Sequence, residues 1–573
     1  MRTLLILLLL AVRLGSAQAA AKYTYETDHE FDNGSRIALS SLTPVQVENL
    51  ALLGKVWGFL KYHHPVVTTG QRHWDYELLR ITPAIVAASD RPAAQAVLQR
   101  WLADLGDIAD CNPCASLPQA GLHLKPSLEW LDDGTLLGDQ LKAGLKKVYA
   151  NRPAASAQFY VSHAKNVGNP VFEHEPYYKD VNFPDAGFQL LALFRFWNIV
   201  EYWSPYRDVI GERWDDALLQ SLARVALAKD RAGFELEMVA VTARVNDTHT
   251  NLWGSLQVRP PVGKCTLPVT MRFIGNQAVV SGYADEAAGK ASGLLAGDVI
   301  EALDQAPVSK LTQAWKPYYA ASNEPTRLRD MARSMHNGAC GDVALRIRRA
   351  SQEQEIASTR TPITRTARAN THDRNGDTFQ MLADDIAYIK LSSIKKADIP
   401  RYLELAAASK GLVIDIRNYP SEFVVFSLGQ HLVDKPTEFV RFTAGDASNP
   451  GAFRWGPALT LRPMAPHYQG KVMLLVDEVS QSQAEYTTMA FRSAPRAKVI
   501  GSTTAAADGN VSAIPLPGGL RSMISGIGVF YPDQRPTQRV GIVPDIVVLP
   551  TVQGIRAGRD EVLEAAIAEI RRN

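Results

Sequence analysis

A constant offset governs the first half of this chain. Trp57, Tyr62, Pro65, Trp74, Asp75, Leu78 and Asp107 recur as Trp197, Tyr202, Pro205, Trp214, Asp215, Leu218 and Asp247, each 140 residues further on (197 − 57). Identity at so many positions without a gap marks a duplicated unit. In both copies the apolar residues fall at helical spacing. ENLALLGKVWGFLKYHHP, WDYELLRITPAIVAAS and AAQAVLQRWLADLG are answered by FQLLALFRFWNIVEYWSP, WDDALLQSLARVALA and FELEMVAVTARVND. Two copies are too few for a solenoid, so they are expected to pack on each other or on a neighbouring domain. The copies differ at one telling place. The first ends Asp107-Ile108-Ala109 and the second Asp247-Thr248-His249-Thr250. A requirement of the unit itself should appear in both, so His249 is a candidate for function, beside the plainer reading of a polar residue in a turn.

With 573 residues the chain has room for several domains. The divisions expected are 1–19, a signal peptide; 20–182, the first helical copy and a linker; 183–257, the second copy; 258–360, a β-rich domain; and 361–573, an α/β core with a C-terminal helix. The leader has Arg2, the short apolar run LLILLLLAV and an A-x-A site at Ala17-Gln18-Ala19, which points to secretion or the periplasm. No later stretch is long and apolar enough to span a bilayer, so no membrane segment is expected after cleavage. A formal net charge of +2 and the lack of a basic run give no case for nucleic acid. The four cysteines suit an oxidising compartment. Cys111 and Cys114 form a lone C-x-x-C, better read as a local disulfide than as half a zinc site, and Cys265 with Cys340 is a possible second pair. His63, His64 and His73 follow no H-E-x-x-H pattern, which leaves a zinc hydrolase a weak reading.

Residues 258–360 change character after Pro260-Pro261. LPVTMRFIGNQAVVSGY reads as two strands, ASGLLAGDVIEALDQAPV carries a Gly-Asp turn and a strand, and CGDVALRIRRA reads as a closing strand. From 376 to 551 buried strands at IAYIKL, GLVIDI, Val472 to Val476 and Val499-Ile500 alternate with helical stretches, the pattern of a mostly parallel α/β sheet. Within this core, KVMLLVDEVSQSQAEYTTMAFR runs from strand to helix with Ser482 at the helix start. Free N–H groups and the positive dipole end lie where an oxyanion would form, so Ser482 can be a nucleophile. Ser482 and Glu485 also make S-x-x-E, a capping box that needs no chemistry. On this stretch alone both readings stand.

Residues 258–360, with G-L-x-x-G-D-x-I, resemble a PDZ domain of the bacterial protease type. Five motifs in order make the chain similar to the carboxyl-terminal-processing (tail-specific) serine peptidase family. They are Asn246-Asp247-Thr248-His249-Thr250, the strand ending Asp415-Ile416-Arg417, Ser480-Gln481-Ser482-Gln483-Ala484-Glu485, Val499-Ile500-Gly501-Ser502-Thr503-Thr504, and Gly541-Ile542-Val543-Pro544-Asp545. The D-x-H-T turn places the resemblance with the histidine-bearing subgroup that includes the tricorn core and the interphotoreceptor retinoid-binding protein fold. The loop Thr504-Ala505-Ala506-Ala507-Asp508-Gly509-Asn510, where other members carry a lysine base, has none, and Lys498 reads as a solvated strand end.

The resemblance implies Ser482 as nucleophile, His249 as general base, Thr248 as an accessory hydroxyl and the Gln483 backbone N–H as oxyanion donor, with no cofactor and no metal. It implies a polypeptide substrate, unfolded or tail-exposed, with a PDZ-like domain reading the C-terminus and biasing how the domains dock. Two departures follow. Gln538 stands where the subgroup has a glutamate, and a glutamine can orient an imidazole but not neutralise an imidazolium. After Arg417 the chain has Asn418-Tyr419-Pro420-Ser421 in place of a glycine-rich loop, and Pro420 has no N–H to donate. These departures support an alternative, a catalytically degenerate protein binding peptide or an apolar ligand on the same fold.

Overall fold

The computed structural model describes residues 24–154, 158–363 and 374–572. The leader at 1–19 lies outside the described residues. Each copy of the duplicated unit is three helices. The first has α1 (Pro44–His63), α2 (Trp74–Ala87) and α3 (Arg91–Ala103), and the second has α4 (Ala186–Trp203), α5 (Trp214–Ala226) and α6 (Arg231–Ala243). The tryptophans that revealed the repeat do the same work in both. Trp57 and Trp74 each donate their indole N–H to the other's carbonyl at 3.0 and 2.9 Å, and Trp197 and Trp214 do so at 2.8 and 3.0 Å. This satisfies buried indoles while tying the first helix of a copy to the second. Asp90 and Asp230, also equivalent, cap α3 and α6.

The two copies pack on each other through α1 and α4. Gly54 and Gly58 let the helices close up against their own counterparts, Phe194 and Asn198. A Cβ on Gly58 would stand 1.8 Å from the Asn198 side-chain oxygen, and Asn198 donates to the Gly54 carbonyl at 3.0 Å. The helical core continues into Ile514, Leu516, Leu520 and Ile524 of a β-hairpin (511–516 with 520–525) that belongs to the α/β part of the chain. The helical units are thus seated on the last domain from the start.

Residues 265–362 form a β-rich domain with its own apolar core. Strands Val269–Ile274, Gln277–Tyr283, Val299–Leu303, Gly341–Arg349 and Gln352–Pro362 run side by side in that order. The closing strand expected at CGDVALRIRRA is followed by one more, Gln352–Pro362, which folds back on it antiparallel. Helix α7 (Glu324–Met335) was also not legible, because EPTRLRDMARSM carries few apolar residues. Both disulfides considered from the sequence are formed, Cys111–Cys114 and Cys265–Cys340.

The α/β core has six strands in sequence order, β1 (Phe379–Leu382), β2 (Ile386–Lys390), β3 (Gly411–Asp415), β4 (Lys471–Val476), β5 (Ala497–Gly501) and β6 (Ile546–Val547). All neighbours from β2 to β6 are parallel and only β1 is antiparallel. The unbroken apolar run of β4 divides between the two faces. Val472, Leu474 and Val476 enter one core, and Met473 and Leu475 enter the other beneath the C-terminal helix α9 (Glu561–Arg571). That is why the run is continuous rather than alternating. A second, antiparallel sheet at 437–445, 453–461 and 528–530 went unread in the sequence. Among the described residues no helix is long and apolar enough to cross a membrane.

Candidate active site

Helix α8 (Gln483–Arg492) springs from the carboxyl end of β4, and Ser482 sits at the corner with φ 57° and ψ −119°. A non-glycine residue at positive φ costs on the order of 1–3 kcal/mol and persists only where its surroundings impose it. Here they do. The Ser482 N–H donates to the Ala507 carbonyl at 3.0 Å and to Glu485 Oε2 at 3.1 Å. Glu485 is fully buried and also accepts from the Thr504 hydroxyl (2.5 Å), Ala506 N–H (2.8 Å) and Ala507 N–H (3.0 Å). Burial pushes this carboxyl up and those donors pull it down. Its oxygens are committed to holding the 504–507 loop behind the serine, which makes it a scaffold group. The half-buried Ser482 is therefore presented on a strained strand-to-helix corner, the geometry that exposes a nucleophile.

The other motif residues are scaffold too. Arg417 bonds Asp415 at 2.6 Å and Asp560, the cap of α9, at 2.8 Å. Asp545 pairs with Arg492 at the end of α8 at 2.8 Å and accepts the Val499 N–H at 2.7 Å. Ile542 N–H donates to the Thr504 hydroxyl at 2.7 Å. Lys498 pairs with Glu569 at 2.8 Å, on the surface.

Above Ser482 lies the 417–423 loop, fastened by Gln483 Nε2 to the Glu422 carbonyl at 3.0 Å. Tyr419 is 57% exposed, and its hydroxyl is near enough to the Ser482 hydroxyl and the Gln483 N–H to feel both. Burial pushes that phenol up while those two groups pull it down. The phenol thus stands in the neighbourhood of the donor, Gln483 N–H, that the sequence singles out for an oxyanion. Beside it Asp508 is buried, its Oδ2 unpartnered, and burial, then Glu485, hold it well above the usual carboxylate range.

His249 is buried in the turn after α6. Its Nδ1 lies 3.0 Å from the Ser525 hydroxyl on the hairpin. Asp247 Oδ1 is 3.7 Å from the same nitrogen, while the carboxylate accepts the His249 N–H at 3.0 Å and the Ser525 N–H at 2.9 Å. With a proton on Nδ1 donated to Ser525, Nε2 becomes the acceptor. Burial pushes the imidazole below its usual range; Asp247 opposes this and Arg329 adds to it.

Thr248 ties this turn to the serine's loop. Its hydroxyl accepts the Ser322 N–H at 2.9 Å and donates to the Ala505 carbonyl at 3.3 Å. Asn323 donates to the Thr504 carbonyl at 2.8 Å, and Arg329 on α7 reaches the Glu478 carbonyl at 2.9 Å and Gln481 at 3.1 Å. The turn bearing His249 and the loop behind Ser482 are thus joined through shared neighbours rather than through a direct hydrogen bond between the two side chains. The sequence places Gln538 on the imidazole. In the structure its amide donates instead to Ser322 at 3.3 Å, because Thr537 anchors that segment to the Val529 carbonyl at 2.8 Å. The imidazole's partners are Ser525 and Asp247. Asp247 was visible within the D-x-H-T motif, whereas Ser525, 276 residues from His249, left no signal. The histidines His63, His64 and His73 are buried; through Nδ1, His64 caps the short helix Pro65–Thr68 and His73 caps α2. No cluster of potential metal ligands occurs among the described residues.

Residues 385–548 match the model of Peptidase family S41, which makes this part of the chain a serine-type peptidase domain of that family. No curated protein matches it. Among solved structures it is similar to mature CPAF, at 12% identity over 67% of this chain and 97% of that one with a TM-score of 0.52. It is likewise similar to mature CPAF complexed with lactacystin, at 12% identity over 67% and 98% with a TM-score of 0.51. At such identity the likeness is one of fold. The tricorn protease overlaps at 16% identity over 67% of this chain and 37% of that one, with a TM-score of 0.34, too loosely to inform the site.

Proposed function

We propose that this serine peptidase is an endopeptidase of the secretory or periplasmic space acting on unfolded or tail-exposed polypeptides. Ser482 attacks the scissile carbonyl carbon while His249 Nε2 takes the hydroxyl proton. The Gln483 N–H receives the developing oxyanion at the start of α8. As the tetrahedral intermediate collapses, the C–N bond breaks and His249 returns the proton to the leaving amine. Water then enters by the same route and hydrolyses the acyl-enzyme. The observation that carries this reading is the strained corner at Ser482, clamped by a loop to which the His249 turn is itself bonded. A mere cap would need neither the strain nor the second attachment.

The β-rich domain is read as PDZ-like, taking an extended C-terminal peptide along a sheet edge. The position of Tyr419 favours one competing reading, a protein that binds peptide without cleaving it. The test is hydrolysis of an unfolded substrate by the mature chain beside Ser482→Ala and His249→Ala, with and without chelator. The peptidase reading expects cleavage that is lost in both variants and indifferent to chelator; equal turnover in all three would sink it.

A further inference from the structure

The duplication makes one half of the helical region a reference for the other. In the first half, Asp75 pairs with Arg195 of the second copy at 2.5 Å. In the second half, the equivalent Asp215 pairs with Lys55 of the first copy, at the position equivalent to Arg195, at 2.9 Å. The ion pairs are exchanged across a pseudo-two-fold axis, so the two sites can be compared residue by residue.

The first site is filled by the chain's own linker, Glu175-Pro176-Tyr177-Tyr178. The Glu175 carboxylate bridges Lys61 at 2.6 Å and Arg195 at 2.8 Å. The Pro176 carbonyl accepts from Arg195 at 2.9 Å, and the Tyr178 hydroxyl donates to Asp75 at 2.9 Å while its ring packs on Phe188. Lys61, Arg195, Asp75 and Glu175 are all buried and their charges balance. A short segment of polypeptide is thus bound here as though it were a ligand.

At the second site the linker stretch 127–136 forms one wall, and the equivalent space beside it is a cavity of about 660 Å³, a volume within the usual range for ligand pockets. Trp130, Trp197, Trp214 and Tyr202 furnish its aromatic surface. The central charge is reversed, since Glu201 stands where the first copy has Lys61. Five carboxylates and three basic side chains line the cavity, an excess of negative charge. The site already accepts a cation on aromatic faces, with Lys55 Nζ 5.1 Å from the Trp130 ring and 6.0 Å from that of Trp197. Where the first site took a carboxylate between two cations, this one offers a cation the Glu201 carboxylate, beside an Asp215 that Lys55 already holds.

We propose that this cavity binds a short polypeptide segment carrying a cationic group, a lysine or arginine side chain or an amino terminus, in the manner in which the first site holds Glu175 to Tyr178. Burial pushes Glu201 up to about 7, with Asp215 adding to this and Arg207, Lys55 and the Ser127 hydroxyl opposing it. The proposal does not depend on the catalytic reading.

The test uses the full mature chain carrying Ser482→Ala, so that no probe is cleaved, with acetyl-Lys-Pro-Tyr-Tyr-amide and acetyl-Glu-Pro-Tyr-Tyr-amide titrated by calorimetry. The expected result is tighter binding of the lysine peptide by roughly tenfold or more, the scale of a charge-assisted contact. Glu201→Lys restores the charge of the first copy and should reverse the preference; Glu201→Gln should abolish it. Thermal melts show whether each variant is folded, and should Glu201→Lys not fold, Glu201→Gln and Asp215→Asn decide. Binding of neither peptide at millimolar concentration, equal binding of both, or a preference unmoved by the Glu201 variants overturns the proposal.

Discussion

The Thr248 hydroxyl donates to the Ala505 carbonyl at 3.3 Å, and by that bond the turn bearing His249 is joined to the loop that backs Ser482. Thr248→Val keeps the shape and removes the hydroxyl, and with it the acceptor for the Ser322 N–H. A buried donor left unsatisfied costs about 1–3 kcal/mol. We expect kcat/KM to fall by roughly 10- to 100-fold if that cost appears in the positioned state, with Thr248→Ser largely restored. Steady-state kinetics of the pair checks this.

Glu485 receives four donors in a buried site. Glu485→Gln turns one acceptor into a donor facing other donors. The expected loss is about 3 kcal/mol or more of stability, read as a lowered urea midpoint. Loss of peptide hydrolysis should accompany it, since the Ser482 corner relaxes. A variant with an unchanged midpoint would mean the clamp contributes nothing.

Acid should unfold the protein early. Burial holds His63 at about 3, and His64 and His336 at about 4, all below the ordinary 6.5. Below pH 6.5 the unfolded chain takes up protons that the folded chain refuses, so stability falls as pH drops from there toward the folded values. At pH 5 each histidine should have removed about 2 kcal/mol. Urea unfolding at pH 7.5 and pH 5, beside His63→Phe, measures its share.

The same direction applies to the rate. Burial lowers His249, so the acid limb of kcat/KM should lie below pH 6.5. Asp247 raises that imidazole and Arg329 lowers it, so Asp247→Asn should move the limb to lower pH and Arg329→Gln to higher pH. Movement in the same direction for both would contradict the assignment of the limb to His249.

The Tyr419 hydroxyl lies near the Ser482 hydroxyl and the Gln483 N–H. Tyr419→Phe removes the competing hydroxyl and keeps the ring, so a fluorophosphonate should label Ser482 faster in the variant. Slower labelling would instead make the phenol part of the oxyanion site.

Much of the frame was legible because it repeats or alternates. The 140-residue offset showed the helical duplication, and the buried run of β4 with its polar turn showed the Ser482 corner. What escaped was set by distant pairing. Ser525 lies on a hairpin whose period-2 pattern says nothing about a histidine 276 residues earlier. The linker gave no hint that Glu175 would lie buried between Lys61 and Arg195, because a carboxylate among polar residues looks solvated until the fold surrounds it. Gln538 was legible as a position and misjudged as a contact, since one intervening hydroxyl, Ser322, is invisible in spacing.

Ser322, Asn323 and Arg329 all lie within the stretch 258–360 that sequence alone would cut out as a module. Yet each reaches into the catalytic neighbourhood, to Thr248, Thr504 and Gln481 respectively. On the proposed reading, excising that stretch would not yield an unregulated enzyme but an unfinished one. On the proposed reading of Ser482 and His249, any peptide that shifts the β-rich domain would pull directly on the bonds that join their two loops, so sensing and assembly would be a single mechanical event.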